Sequence, residues 1–290
     1  MTAFETGLQD LKRQHPEWEP WLAVVDEILR ETATSNWDAA VPTRTDPQQS
    51  KIPLLAGAKL ALGRNSVRAL LERLIRIASQ RGTPKMATLK SALRADVDAI
   101  AVFIAALSQD EDRIKELSAI AGVDGEAFHA VTALIPVPFL QACNRRWATS
   151  IAESWMEGYC PVCGAWPAFA EVRGIERRRY FRCGRCGGEW QAHCLFCPYC
   201  SITDHEQLVS LVPEKIGASR IIEACKRCLG YVKTFTTLQG TPPMKVMIED
   251  LASVALDVAA VEHGYKRPQG AGYALAVMVT ENGRRRSLFA

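Results

Sequence analysis

Several absences narrow the class of this 290-residue chain before any motif is considered. No run approaches the roughly eighteen consecutive apolar residues of a membrane span, so no membrane insertion is expected. The N-terminus, MTAFETGLQDLKRQHPEWEPW, has early acidic residues and no apolar stretch, so no secretory leader is expected either. The expected compartment is the cytoplasm, where thiols stay reduced and disulfides are not anticipated. Charge of one sign is scarce too: 35 Lys+Arg against 32 Asp+Glu leave +3, too little to argue for nucleic acid or a membrane surface. The five histidines are scattered, so no Cys–His constellation assembles from spacing. There is no Walker loop and no dinucleotide fingerprint, and the chain is not expected to be an enzyme.

Cysteine, by contrast, is concentrated. Seven of the ten cysteines fall between Glu153 and Cys200, and eight of the ten form CxxC pairs: Cys160/Cys163, Cys183/Cys186, Cys197/Cys200 and Cys225/Cys228. Two residues between thiols let a tight turn, a knuckle, aim both sulfurs at one centre. Two such turns complete a tetrahedron of sulfur around a metal ion. Gly164 and Gly187 suit the backbone of such turns, whereas Ser201 and Leu229 break the pattern at the third and fourth. Sequential pairing, which closes each half as its own ribbon, is favoured over a cross-braced arrangement. It gives one site of Cys160, Cys163, Cys183 and Cys186, and another of Cys197, Cys200, Cys225 and Cys228. Zinc and iron both accept four thiolates, and spacing leaves that choice open. Cys143 lies on the apolar stripe of a helix and is expected to be buried. Cys194 shares a strand face with Trp190, Ala192 and Phe196 and is expected in the core, the alternative being a redox-accessible thiol beside the second site, with His193 outside.

Around these pairs the chain reads as α+β: a helical N-terminal domain, two rubredoxin-like or zinc-ribbon-like modules, and a C-terminal helix. The expected segments are 1–157, all helical; 158–193 and 194–240, one ribbon each; 241–267, a helix; and 268–290, a flexible tail. Helical spacing marks Phe4, Leu8 and Leu11; Trp18, Leu22, Val25 and Leu29; and Val67, Leu70, Leu71, Leu74 and Ile77 after a cap at Asn65 or Ser66. Leu89, Leu93, Val97, Ile100 and Ile104 form another stripe; Ile114 and Leu117 precede Gly122; and a helix after Pro138 carries Leu140, Cys143, Trp147 and Ile151. Strands are expected at Phe169–Arg173, Arg179–Cys183, Glu189–Phe196, Gln207–Val212, Arg220–Glu223 and Tyr231–Thr237. Beyond Pro242 and Pro243, Met244, Met247, Leu251, Val254, Val258 and Val261 make an apolar stripe, which leaves Asp250, Asp257 and Glu262 on the wet face.

Arginines 173, 177, 178, 179, 182 and 185 raise a nucleic-acid alternative, that of a zinc ribbon with purely structural metals. From Cys160 to Phe235, eleven basic residues exceed seven acidic ones by four. Each divalent ion among four thiolates leaves a local charge of about −2, so two sites offset that excess. Few aromatic residues stand near for base stacking, and nucleic acid is not the favoured partner.

The motifs run Cys160-Pro161-Val162-Cys163-Gly164, Arg179-Tyr180-Phe181-Arg182-Cys183, Cys186-Gly187-Gly188-Glu189-Trp190, Cys197-Pro198-Tyr199-Cys200 and Cys225-Lys226-Arg227-Cys228-Leu229-Gly230-Tyr231-Val232-Lys233. A helix from Asp250 to Asp257 follows, then Gly264-Tyr265-Lys266-Arg267. Their order, from about Tyr159 to Arg267, resembles the FdhE-type formate dehydrogenase accessory proteins. The resemblance implies a cytoplasmic protein that binds the molybdenum-dependent catalytic subunit of a formate dehydrogenase and assists its maturation before export. It also implies rubredoxin-like iron at the two four-cysteine sites, which sets iron ahead of zinc. Cys194 departs from the family pattern, as does the absence of glycine after Cys200. The irregular stretch Thr34 to Ile52 and the hairpin Arg177 to Arg179 are candidate partner contacts, and homo-oligomerisation stays open.

Overall fold

The computed structural model describes residues 3–44, 48–95, 97–213 and 219–281. The helical periods fold where they are spaced: α1 (Ala3–Gln14), α2 (Glu19–Thr32), then after a short strand β1 (Lys59–Leu62), α3 (Arg64–Arg81), α4 (Pro84–Ala87), α5 (Ala99–Ser108), α6 (Glu111–Ala121), α7 (Gly125–Thr132) and α8 (Val137–Trp147). Leu22, Val25, Leu29, Val67, Leu70 and Leu74 are all buried, as their spacing requires. The chain divides into two units: His15–Thr45, Leu55–Ala142 and Leu275–Ala290 form one, and Met1–Gln14, Asp46–Leu54 and Cys143–Ala274 the other. The expected boundary at residue 157 therefore falls inside the second unit, and the division lies within α8.

In the helical unit two local readings change. The cap of α3 is Gly63, so Asn65 and Ser66 sit inside its first turn. The stripe from Leu89 to Ile104 is not one helix: a 3-10 segment ends at Leu93, and α5 starts afresh where the Asp98 carboxylate accepts the Ile100 N–H at 2.9 Å. Residues 125–150 are long and apolar enough to cross a membrane, yet 72% of their most apolar window is buried inside the protein.

Six strands follow in the other unit: β2 (Phe169–Arg173), β3 (Arg178–Arg182), β4 (Glu189–Ala192), β5 (Leu208–Leu211), β6 (Arg220–Cys225) and β7 (Tyr231–Thr237). All six coincide with the expected runs to within a few residues. They do not form two separate ribbons. One sheet runs β4-β3-β2-β7-β6-β5, joined at its centre by the parallel pair β2 and β7, with Phe169 opposite Lys233 and Arg173 opposite Thr237. Each half repeats the order knuckle, strand, strand, knuckle, strand. The first strand of one half pairs with the last of the other, which satisfies two edges that separate ribbons would expose.

The C-terminal helix is two: α9 (Val246–Leu251) and α10 (Val254–Glu262). Ser253 Oγ donates to the carbonyls of Glu249 and Asp250 at 2.8 and 3.0 Å, a side-chain bond that competes with the helix and breaks it there. The expected apolar stripe is not the buried face, since Val258 and Val261 are 54% and 61% exposed. Val246, Ile248 and Ala260 are buried instead, and Leu256 packs against the two buried clusters that include Phe169 and Tyr231 of the sheet. The expected tail over 268–290 is also structured where it is described. Tyr273 N–H bonds the Gly164 carbonyl at 2.9 Å, and a strand β8 (Met278–Glu281) pairs in parallel with β1 in the helical unit. Residues 282–290 lie outside the described part of the chain.

Candidate metal centres

All four knuckles share one backbone pattern. The N–H four residues after each leading cysteine bonds that cysteine's carbonyl: Gly164 to Cys160, Gly187 to Cys183, Ser201 to Cys197 and Leu229 to Cys225, at 2.9 to 3.0 Å. That donor residue is left-handed in every case, with φ of 70°, 71°, 59° and 58° respectively. Ser201 and Leu229 therefore adopt the conformation that glycine adopts elsewhere, against about 1–2 kcal/mol of steric cost each. The sequence break at these positions is not a break in geometry.

Register places all four knuckles at one end of the sheet and brings their sulfurs together in sequential order. Cys160 and Cys186 Sγ stand 3.5 Å apart, as do Cys163 and Cys183. In the second cluster Cys197–Cys228 is 3.6 Å and Cys200–Cys225 is 3.7 Å. Within each cluster every sulfur lies within 4.8 Å of the others. A disulfide needs about 2.0 Å between sulfurs. Four thiolates about 2.3 Å from one ion stand about 3.8 Å apart, so this donor set fits a soft tetrahedral cation. Backbone N–H groups of Val162, Cys186 and Gly188 point at Cys160, Cys183 and Cys186 Sγ, each at 3.4 Å. Protons are unevenly shared in the first cluster. Burial holds the Cys160 thiol well above its ordinary range, and hydrogen bonds from Cys160, Cys163 and Cys186 pull Cys183 well below.

Cys143 is fully buried, and burial raises its thiol far above the ordinary value, as suits an inert core cysteine. Cys194 is not in the core. β4 ends at Ala192, the alternation stops, and both His193 and Cys194 are exposed.

The arginine group is largely turned inward. Arg179 and Arg182 are 3% and 1% exposed. Arg179 pairs with Glu223 at 2.6 Å, while Arg182 and Arg173 share Glu171 and Glu189. Arg177 takes a positive φ at the hairpin turn and is exposed with Arg178, so only part of the expected contact hairpin faces solvent. Of the other candidate contact stretch, residues 45–47 lie outside the described residues and Trp37 and Val41 are buried.

One constellation escaped the sequence reading. Lys233 has no exposed side-chain surface, and its Nζ lies 2.6 Å from Asp250 Oδ1 and 2.8 Å from Asp257 Oδ2. Arg267 reaches both carboxylates at 2.8 Å, and the Tyr231 hydroxyl donates to Asp257 at 2.7 Å. Burial works against the Asp257 charge, but Arg267 and then Lys233 hold its carboxyl below the ordinary range. Burial and the bond to Asp257 push the Tyr231 phenol up to about 12. The seven-residue spacing of Asp250 and Asp257 was the available signal; buried Lys233 on an adjacent strand was not visible as its partner.

The FdhE C-terminal domain family matches residues 194–286, which takes in the second cluster and this ion-pair clamp. The FdhE homologue of Pseudomonas aeruginosa is 29% identical over 182 residues, 58% of this chain and 59% of its own. That of Haemophilus influenzae is 23% identical over 265 residues, covering 90% and 83%. The chain is similar to FdhE proteins along most of its length, and its C-terminal third matches that family's domain. The crystal structure of the FdhE protein from P. aeruginosa, 22% identical, matches 93% of this chain and 94% of that one with a TM-score of 0.52, which establishes a shared fold. The FdhE homologue of Aquifex aeolicus, 30% identical over 116 residues, is matched over only 40% of its length, so less than two thirds of it and of the Pseudomonas relative is aligned.

Proposed function

We propose that this FdhE-like chain is a cytoplasmic accessory protein that binds the catalytic subunit of a formate dehydrogenase and is needed for its activity. The observation that carries the reading is the pair of four-sulfur clusters set at one end of a single sheet within a family-specific frame. Closed tetrahedra of thiolate leave no open coordination position of the kind that catalytic metal sites keep. The architecture is thus suited to presenting a surface rather than turning over a small substrate. Cys160, Cys163, Cys183 and Cys186 would hold one ion, and Cys197, Cys200, Cys225 and Cys228 the other. Iron in rubredoxin-like coordination is the favoured ion and zinc the alternative. When bound, iron would supply a one-electron couple; the residues themselves contribute burial and N–H groups aimed at sulfur. The nucleic-acid alternative is disfavoured because Arg173, Arg179 and Arg182 are engaged with carboxylates. Deletion of the gene tests the reading. Formate oxidation should be lost while transcript for the enzyme persists, and undiminished oxidation, with no paralogue present, would refute it.

A further inference from the structure

The two clusters differ in access, and named residues build the difference. In the first, none of the four cysteines has exposed surface. Its knuckle glycines are covered: a Cβ on Gly164 would stand 2.8 Å from the Tyr273 carbonyl oxygen, and one on Gly187 2.8 Å from that of Pro243. In the second, Cys200 and Cys228 are half-buried, and the corresponding knuckle residues Ser201 and Leu229 are exposed. A cavity of about 90 Å³ opens beside this cluster, and Cys194, Cys197, Cys225 and Arg179 all line it.

Cys194 is held at that rim. Arg179 donates to the carbonyls of His193 and Phe196, at 3.1 and 2.9 Å, and so pins the backbone on both sides of Cys194 and Leu195. Its Nε is buried on the same side chain and has no hydrogen-bond partner among the described residues.

We propose that the second cluster is an exchangeable metal centre and that Cys194 is its incoming fifth thiol; this rests on the reading of both clusters as metal sites. Zinc can pass through five-coordination while one ligand replaces another. A bond from the ion to Cys194 Sγ forms as the bond to solvent-side Cys200 or Cys228 Sγ breaks. The Cys194 proton ends on the displaced sulfur, and no electron is transferred. From the rim the ion passes to a thiol-bearing acceptor. The first cluster, whose four cysteines are fully buried, keeps its ion.

The test loads the full chain with zinc(II), counts ions by native mass spectrometry, and follows release to an excess of a chromophoric pyridylazo chelator. Two ions should leave in two phases, with the cysteines newly alkylated after the fast phase confined to Cys197, Cys200, Cys225 and Cys228. Cys194→Ala, which alters an exposed side chain, should still bind two ions but merge the fast phase with the slow one. Single-phase release from the unaltered chain, new alkylation at Cys160 to Cys186 after the fast phase, or an unchanged fast phase in Cys194→Ala overturns the proposal. A folded chain that takes up no ion overturns the metal reading and the proposal with it.

Discussion

Lys233 Nζ, on a side chain sealed from solvent, lies 2.8 Å from Asp257 Oδ2, which joins the central strand β7 to the helix α10 above it. The same amine donates to the Asp250 carbonyl oxygen at 2.8 Å, so it also fixes the break between α9 and α10. Removing one partner of a buried pair strands the other, at a cost of about 3–5 kcal/mol. Lys233→Ala should lower stability by about that much in equilibrium urea unfolding, with Lys233→Met, which keeps the volume, losing less. A loss under about 1 kcal/mol would mean that Arg267 alone maintains the clamp.

Asp257 also sets a pH dependence. Its folded carboxyl titrates below the ordinary value, so its ionised form favours the folded state. That contribution is fully present above about pH 4, the unfolded value, and fades as pH falls through the lower folded one. The stability difference between the unaltered chain and Asp257→Asn should therefore be constant from pH 5 to 7, by the ordinary carboxylate value of about 4, and shrink toward pH 3. A difference that grew on acidification would contradict the assignment.

The knuckles predict opposite outcomes for exchanges in opposite directions. Leu229→Gly relieves a left-handed leucine that is 47% exposed, so it should raise stability by up to about 1 kcal/mol without loss of metal. Gly187→Ala meets both a positive φ and the Pro243 backbone, and it should destabilise the first cluster and reduce its metal content. Thermal unfolding and elemental analysis of the two variants check this pair.

What the sequence made legible was local. CxxC spacing fixes a turn whatever surrounds it, and short β-rich runs bounded by glycine and cysteine stop where the turns begin, so the clusters and all six strands of the sheet could be read. The parallel join of β2 to β7 was not legible, because some sixty residues separate them and no pattern in either strand names the other. The face of the C-terminal helices was misread because an apolar count ignores buried charge: Lys233 draws Asp250 and Asp257 inward, and Ser253 breaks the phase between the halves. Cys194 was misplaced for a simpler reason. Alternation predicts a face only while the strand lasts, and β4 stops two residues short of it.

Metal identity has a direct optical test. Protein isolated in air from iron-replete cells should be reddish through ferric–thiolate charge transfer and bleach on reduction. Cys160→Ala or Cys225→Ala should each lose one ion and leave that half of the sheet open to protease, while Cys143→Ala keeps both ions. Colourless protein holding two zinc ions under those conditions would remove the iron reading and leave the scaffold.

The most direct measurement of the central claim is affinity purification of a tagged chain, at native expression, from cytoplasmic extract of cells making formate dehydrogenase. The account predicts that the unexported catalytic subunit is retained and identified by mass spectrometry. Recovery of the folded, metal-loaded chain without that subunit, when the subunit is present in the same extract, would contradict it.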